Sequence, residues 1–90
     1  MRFYFRWKHG AWRVYRLRPD CKRPTEDQQP IAGALHLRGA FTHLAIHEFG
    51  LRPTHRMLGV SATDYSLNEA IEVTRHRAGW VESKDVPHHG

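Results

Sequence analysis

The residues with the clearest capacity for chemistry are the arginines, lysine and tyrosines near the start of the chain. Residues 2–18, RFYFRWKHGAWRVYRLR, interleave these cations and phenol rings with apolar side chains. Arginine binds phosphate in a bidentate manner and stacks on flat rings, and exposed aromatic rings stack on bases, so this mixture suits an anionic partner such as nucleic acid. The predicted binding residues are Arg2, Tyr4, Arg6, Lys8, Arg13, Tyr15, Arg16 and Arg18.

The positive charge of the chain is concentrated in the same segment. Residues 1–23 carry eight basic side chains and one acidic one, whereas residues 24–90 carry six basic and eight acidic ones, for a total of +5. A one-sided basic surface is typical of proteins that bind phosphate-rich partners or acidic proteins. Arginine outnumbers lysine eleven to three, which suits nucleic acid but is equally expected from a coding bias.

Histidines form the second group of residues that could carry out chemistry, here as metal ligands. His43 and His47 are four residues apart, a spacing at which two imidazoles on one helix can chelate a metal ion. His36 is seven residues before His43, about 10 Å along a helix, so it cannot ligate the same ion. Two histidines are half of a zinc site, and no cysteine or acidic pattern completes one, so we expect no metal and no other cofactor.

The sequence favours binding over catalysis. It contains no glycine-rich phosphate loop, no nucleophile elbow and no paired carboxylates. Cys21 is the only cysteine, so it is expected to be a bystander in a reducing, cytoplasmic setting. No apolar run approaches the ~18 residues that cross a bilayer, and the start of the chain does not resemble a signal peptide.

The basic segment is predicted to be a β-hairpin with a two-residue turn at His9-Gly10. In this register the numbers of opposed residues sum to nineteen, so Trp7 faces Trp12 and Arg6 faces Arg13. A three-residue loop over residues 8–10 is the alternative, which would shift the pairing but keep the alternation along the first strand. One face then carries Phe3, Phe5, Trp7, Trp12 and Val14 and is expected to join a core. The other carries Arg2, Tyr4, Arg6, Lys8, Arg13 and Tyr15, with Leu17 at its end, and is expected to be exposed.

Three further segments carry local signals. Residues 19–30 are polar with framing prolines, which predicts a surface loop. Within residues 31–49 we predict a helix over 40–49 that Gly50 ends. The earlier part is either helical as well or contains a short strand or turn around 35–37. Residues 55–62 are predicted to form a third strand, with Leu58 and Val60 on one face. Ser66 to Glu69 form a capping box, which starts a helix that Gly79 ends, with Leu67, Ala70, Ile71, Thr74 and Ala78 on its buried face.

These segments predict an α+β fold, in which a small antiparallel sheet, made of the N-terminal hairpin and a third strand, packs against one or two helices. Ninety residues suffice for one core, so we expect a single compact domain over residues 1–82 and a flexible tail over 83–90. The second helix is expected to cover the apolar face of the sheet, with Trp80-Val81 adding one more packed turn.

Three short stretches resemble AP2-like DNA-binding domains: Gly10-Ala11-Trp12-Arg13-Val14, Arg56-Met57-Leu58-Gly59-Val60, and Ser66 with Glu69-Ala70. The resemblance covers about a third of the chain. It implies three strands on one helix, with strand residues docked on DNA, and makes Arg6, Trp12, Arg13 and Arg16 candidates for that contact. In this chain residues 19–54 separate the second strand from the third.

Two functions follow as hypotheses. The first is a small, non-enzymatic basic module that docks nucleic acid or a ribonucleoprotein through the Arg/Tyr face of its hairpin. The second is a phage or mobile-element inhibitor, of the anti-CRISPR type, that blocks a host complex by binding an acidic host protein. A third hypothesis is a homodimer in which the hairpin edges of two copies pair. A purely structural role is the alternative for the same residues, since tyrosine favours strands and charge keeps a sheet edge soluble.

Overall fold

The computed structural model describes residues 2–51 and 66–83. Its N-terminal hairpin consists of strands β1 (Arg2–Lys8) and β2 (Ala11–Leu17). The turn residues His9 and Gly10 have φ of 54° and 75°, the left-handed values that a two-residue turn of type I′ requires and that match the twist of the strands. The register pairs Arg6 with Arg13 and Trp7 with Trp12, so the predicted hairpin is confirmed.

Two short strands complete a four-stranded mixed sheet in the order β3-β2-β1-β4. β3 (Ala32–Ala34) is antiparallel to β2, and β4 (Val81–Glu82) is parallel to β1. With two helices the fold is α+β, as predicted, although β4 makes the sheet mixed where an antiparallel one was expected. The strand predicted over residues 55–62 lies outside the described residues.

Helix α1 (Leu37–His47) covers one face of the sheet. It begins three residues before the predicted helix, after β3 rather than as a continuation of a helix from residue 31. Gly39 explains the close fit of β3 and α1, because a Cβ at this position would lie 3.0 Å from Cβ of Ala34. Gly50 has φ of 64° and ends the turn that follows the helix, where Leu51 donates to the carbonyl of Ala45.

Helix α2 (Leu67–Ala78) begins and ends as predicted. The Ser66 hydroxyl accepts a hydrogen bond from the Glu69 N–H at 3.2 Å, and Gly79 adopts the left-handed conformation at the C-terminus. The expected buried face is confirmed for Ala70, Ile71, Thr74 and Ala78. Leu67, which was placed on the same face, is 40% exposed because it lies in the first turn, at the end of the packed surface.

The main core lies between the sheet and α1, and α2 packs mainly on α1. The ring of Phe5 on β1 stacks on Phe41 of α1 at 4.6 Å, and Trp80 contacts both rings edge-on at 5.5 and 5.3 Å. The expectation that α2 covers the sheet is therefore wrong, since α1 occupies that position and α2 adds the buried residues Ile71 and Ala78 to the core.

The segment after α2 forms a strand where one more packed turn was expected. Trp80 packs against Phe5 and Phe41, and Val81 enters β4 beside Tyr4. Ser83, the first residue assigned to the tail, is buried and donates its backbone N–H to the Phe5 carbonyl at 2.9 Å. Residues 84–90 lie outside the described residues.

Candidate functional site

The outer face of the hairpin, which points away from the helices, carries the predicted cations. Strand alternation and the observed register place four of them there, and we call this set the basic face: Arg2, Arg6, Lys8 and Arg13. Residues on one face of a strand repeat every ~6.6 Å, so the three cations of β1 extend over about 20 Å. Arg6 and Arg13 are directly opposite each other, at the separation where like charges repel.

No carboxylate of residues 2–51 or 66–83 lies within 4.0 Å of any cation of the basic face. Arg13 donates from Nε to the Lys8 carbonyl at 3.2 Å, which fixes the direction of its guanidinium and leaves both Nη groups available. Two arginines held side by side without an ion-pair partner lower the stability of the hairpin unless an anion lies over them.

The expectation that Tyr4 and Tyr15 are exposed is wrong. Their exposed fractions are 8% and 7%, and with Leu17 and Val81 they form a second, smaller apolar cluster on the outer side of the sheet. β4 brings Val81 next to Tyr4, and Pro24, Thr25, Glu26 and Gln28 line one cleft together with Tyr15. The two rings therefore hold structure together and are not platforms on which bases can stack.

Arg16 differs from the other predicted binding residues because it points toward the helices. It pairs across the hairpin with Phe3, on the core side of the sheet, and its guanidinium forms an ion pair with Glu48 at the C-terminus of α1. Alternation alone, which groups Arg16 with Trp12 and Val14, contained this information. Trp12, which the AP2-like resemblance makes a contact candidate, is buried in the main core.

The loop over residues 18–30 folds back against the outer face and creates two clefts that share Gln28 as a wall. The side-chain amide of Gln28 donates to the Arg16 carbonyl at 2.7 Å, and its backbone N–H donates to the Thr25 carbonyl at 3.1 Å, so the loop is tied to β2. Sequence reasoning treated this loop only as a surface connection. The sequence does contain one signal for its packing role: two large rings, Tyr4 and Tyr15, lie on the outer face and are stabilised when another segment buries them.

We call the larger space the open-end cleft, because it lies where β1 starts and β2 ends. It has a volume of about 860 Å³, and its lining combines arginines with aliphatic residues. Its lining residues are Arg2, Arg16, Leu17, Arg18, Pro19, Gln28 and Ile31. The predicted residue Arg18 thus joins Arg2 in this cleft.

We call the smaller space the turn-end cleft, because it lies toward the hairpin turn. Its volume is about 380 Å³, and it is more enclosed than the open-end cleft. Its lining residues are Arg6, Lys8, Tyr15, Pro24, Thr25, Glu26 and Gln28. Cations of the hairpin and a carboxylate of the loop therefore border one small space.

Among the described residues, the histidines are not assembled into a larger cluster. The rings of His43 and His47 are 4.4 Å apart, centroid to centroid, on α1, and Nδ1 of His43 is buried without a hydrogen-bond partner. His36 is the N-cap of α1, outside the helix. Within the described ranges no three His, Cys, Asp or Glu side chains are grouped to hold a metal ion. Metal binding by His43 and His47 stays an open hypothesis.

In the part of the chain that the structure describes, neither helix has the length and apolar character required to cross a membrane. No protein-family model, curated protein or solved structure matches the chain. The resemblance to AP2-like domains therefore stays a prediction, and the function has to be argued from the site.

Proposed function

We propose that this protein is a non-enzymatic binding module that docks nucleic acid, alone or in a ribonucleoprotein, on the basic face of its hairpin. The observation that supports the proposal most is the pair Arg6 and Arg13, which are opposed across the hairpin and form no ion pair with any described carboxylate. A phosphate between two guanidiniums removes their repulsion and accepts bidentate hydrogen bonds from each. A partner with regularly spaced phosphates also engages Arg2 and Lys8 along the same strand.

Burial of Tyr4 and Tyr15 changes the expected mode of binding. Without these rings as platforms, the affinity comes mainly from contacts to the phosphate backbone, which carry little sequence information. Binding should therefore depend steeply on salt. Four neutralised phosphates on a single strand correspond to a slope of about −3 in a plot of log affinity against log salt concentration.

The test is a titration of a labelled single-stranded oligonucleotide at several salt concentrations. Arg6→Glu combined with Arg13→Glu is expected to abolish binding at low salt. Arg77→Glu is the control, because Arg77 is exposed on α2, away from the basic face, and its reversal should leave the salt slope unchanged. Unchanged binding by the Arg6/Arg13 variant refutes the proposal.

The open-end cleft supports a second candidate, an inhibitor or adaptor that binds an acidic host protein, as small mobile-element inhibitors do. Its lining, which combines Leu17, Pro19 and Ile31 with Arg2 and Arg18, suits an acidic segment with an apolar side chain. A pull-down from host lysate with and without nuclease distinguishes the two candidates. Nuclease-sensitive capture supports nucleic acid, whereas one stoichiometric acidic protein retained after nuclease, and lost with Arg18→Glu at the exposed side of the open-end cleft, supports the second.

A further inference from the structure

The turn-end cleft contains a carboxylate that binding to phosphate does not explain. Glu26 lines this cleft together with Arg6 and Lys8, yet neither cation lies within ion-pair distance of it. A carboxylate beside a phosphate site weakens phosphate binding by repulsion. Charges of both signs border a space of about 380 Å³ without neutralising each other.

The position of Glu26 is set by the fold and not by a free loop. It is the second residue of the turn that the Gln28 N–H closes on the Thr25 carbonyl. The side chain of Gln28 anchors that turn to the Arg16 carbonyl of β2. Glu26 thus lies on the anchored loop side of the cleft, and Arg6 and Lys8 lie on its strand side.

The ligand that matches this lining carries an anion and, a few ångströms away, two adjacent N–H donors. An ionised carboxylate only accepts hydrogen bonds and offers two oxygens side by side. Guanine has two neighbouring donors, N1–H and the N2 amino group, on its Watson–Crick edge. The corresponding edges of adenine and cytosine pair one amino group with an acceptor, and thymine flanks its single N–H with two carbonyls that repel a carboxylate.

We propose that the turn-end cleft binds a guanine nucleotide within single-stranded nucleic acid, with Glu26 accepting from N1–H and the N2 amino group while Arg6 and Lys8 hold its phosphate. Only an unpaired strand exposes this edge of the base. The volume of about 380 Å³ lies within the range of small-ligand clefts, about 300–1,000 Å³. This inference rests on the proposed function and adds a base preference to it.

The test compares two oligonucleotides, a short oligo-dT and the same oligo-dT with one central guanine, at fixed salt. The wild-type protein is expected to bind the guanine oligomer about tenfold more tightly, which corresponds to about 1.4 kcal/mol. Glu26→Gln should remove this preference, because an amide presents one acceptor and one donor to the two N–H groups. A thermal melt of each variant shows that the fold is intact.

Asp27→Asn is the matched control, because it removes the same charge from the next residue, which is exposed and does not line the cleft. It should keep the tenfold preference. If Glu26→Gln and Asp27→Asn strengthen binding of both oligomers alike, Glu26 only repels phosphate and the inference is overturned. Equal binding of both oligomers by the wild-type protein overturns the inference and leaves the proposed function standing. Failure of both oligomers to bind at low salt overturns the proposed function as well.

Discussion

Replacing Arg6 with glutamate should weaken ligand binding and at the same time stabilise the folded protein. In the native hairpin Arg6 and Arg13 are cross-strand partners, and opposed like charges are destabilising. Arg6→Glu turns the repulsion into an ion pair, and a cross-strand pair of this kind contributes about 0.2–1 kcal/mol. The substitution removes a repulsion and adds an attraction, and solvent screens both of these accessible side chains. We therefore expect the free energy of unfolding to rise by about 0.5–1 kcal/mol.

Thermal denaturation followed by circular dichroism measures this gain. For a domain of this size 1 kcal/mol corresponds to about 4–8 °C in Tm, so the variant should melt about 2–8 °C higher than the wild type. The gain should shrink in concentrated salt, because the Debye length falls from about 10 Å at 0.1 M to about 3 Å at 1 M. Its affinity for a single-stranded oligonucleotide, measured in parallel, should fall.

The double variant Arg6→Glu with Arg13→Glu is the internal control. It places two like charges opposite each other again, so its Tm should drop back below that of the single variant. A general reduction of the positive charge predicts the reverse, a further rise in Tm from the single to the double variant. That result would refute the reasoning, since it would mean that the local pair contributes nothing.

Three other changes test the packing that holds the site. Ser66→Ala removes the hydroxyl that accepts from Glu69 and should cost about 1 kcal/mol in chemical denaturation, while Ser66→Asp keeps most of the stability. Gly39→Ala places a Cβ 3.0 Å from that of Ala34 and should lower Tm despite the better helix propensity of alanine; adding Ala34→Gly should recover part of the loss. Phe41→Ala empties the space beneath Phe5 and should cost about 3–5 kcal/mol, seen as loss of the cooperative melt.

The hairpin and the second helix were predictable because their signals are local. A left-handed pair at His9-Gly10 fixes the register of both strands, and alternation then assigns each side chain to a face. Ser66 and Gly79 mark the ends of α2 through hydrogen bonds and a backbone conformation that involve only neighbouring residues.

The environment of the outer face was not predictable in the same way. Alternation places Tyr4 and Tyr15 on that side of the sheet but cannot say whether another segment covers it. Cover comes from β4, which arrives from the end of the chain, and from the loop over residues 18–30, which has no periodicity. The two rings are buried by segments that are distant in the chain, so the spacing of residues within the hairpin does not predict their burial.

The sequence by itself determined where the positive charge lies and which cations face each other, because both follow from composition and from a two-residue turn. Only the tertiary structure decided what those cations have as neighbours. It buries the tyrosines, turns Arg16 toward Glu48, and sets Glu26 across a cleft from Arg6 and Lys8. The physical reason is that pairing within the hairpin joins residues close together in the chain and follows from the turn, whereas these neighbours come from distant segments. The loop over residues 18–30 and β4 pack on the outer side of the sheet, and α1 brings Glu48 to Arg16 on the core side.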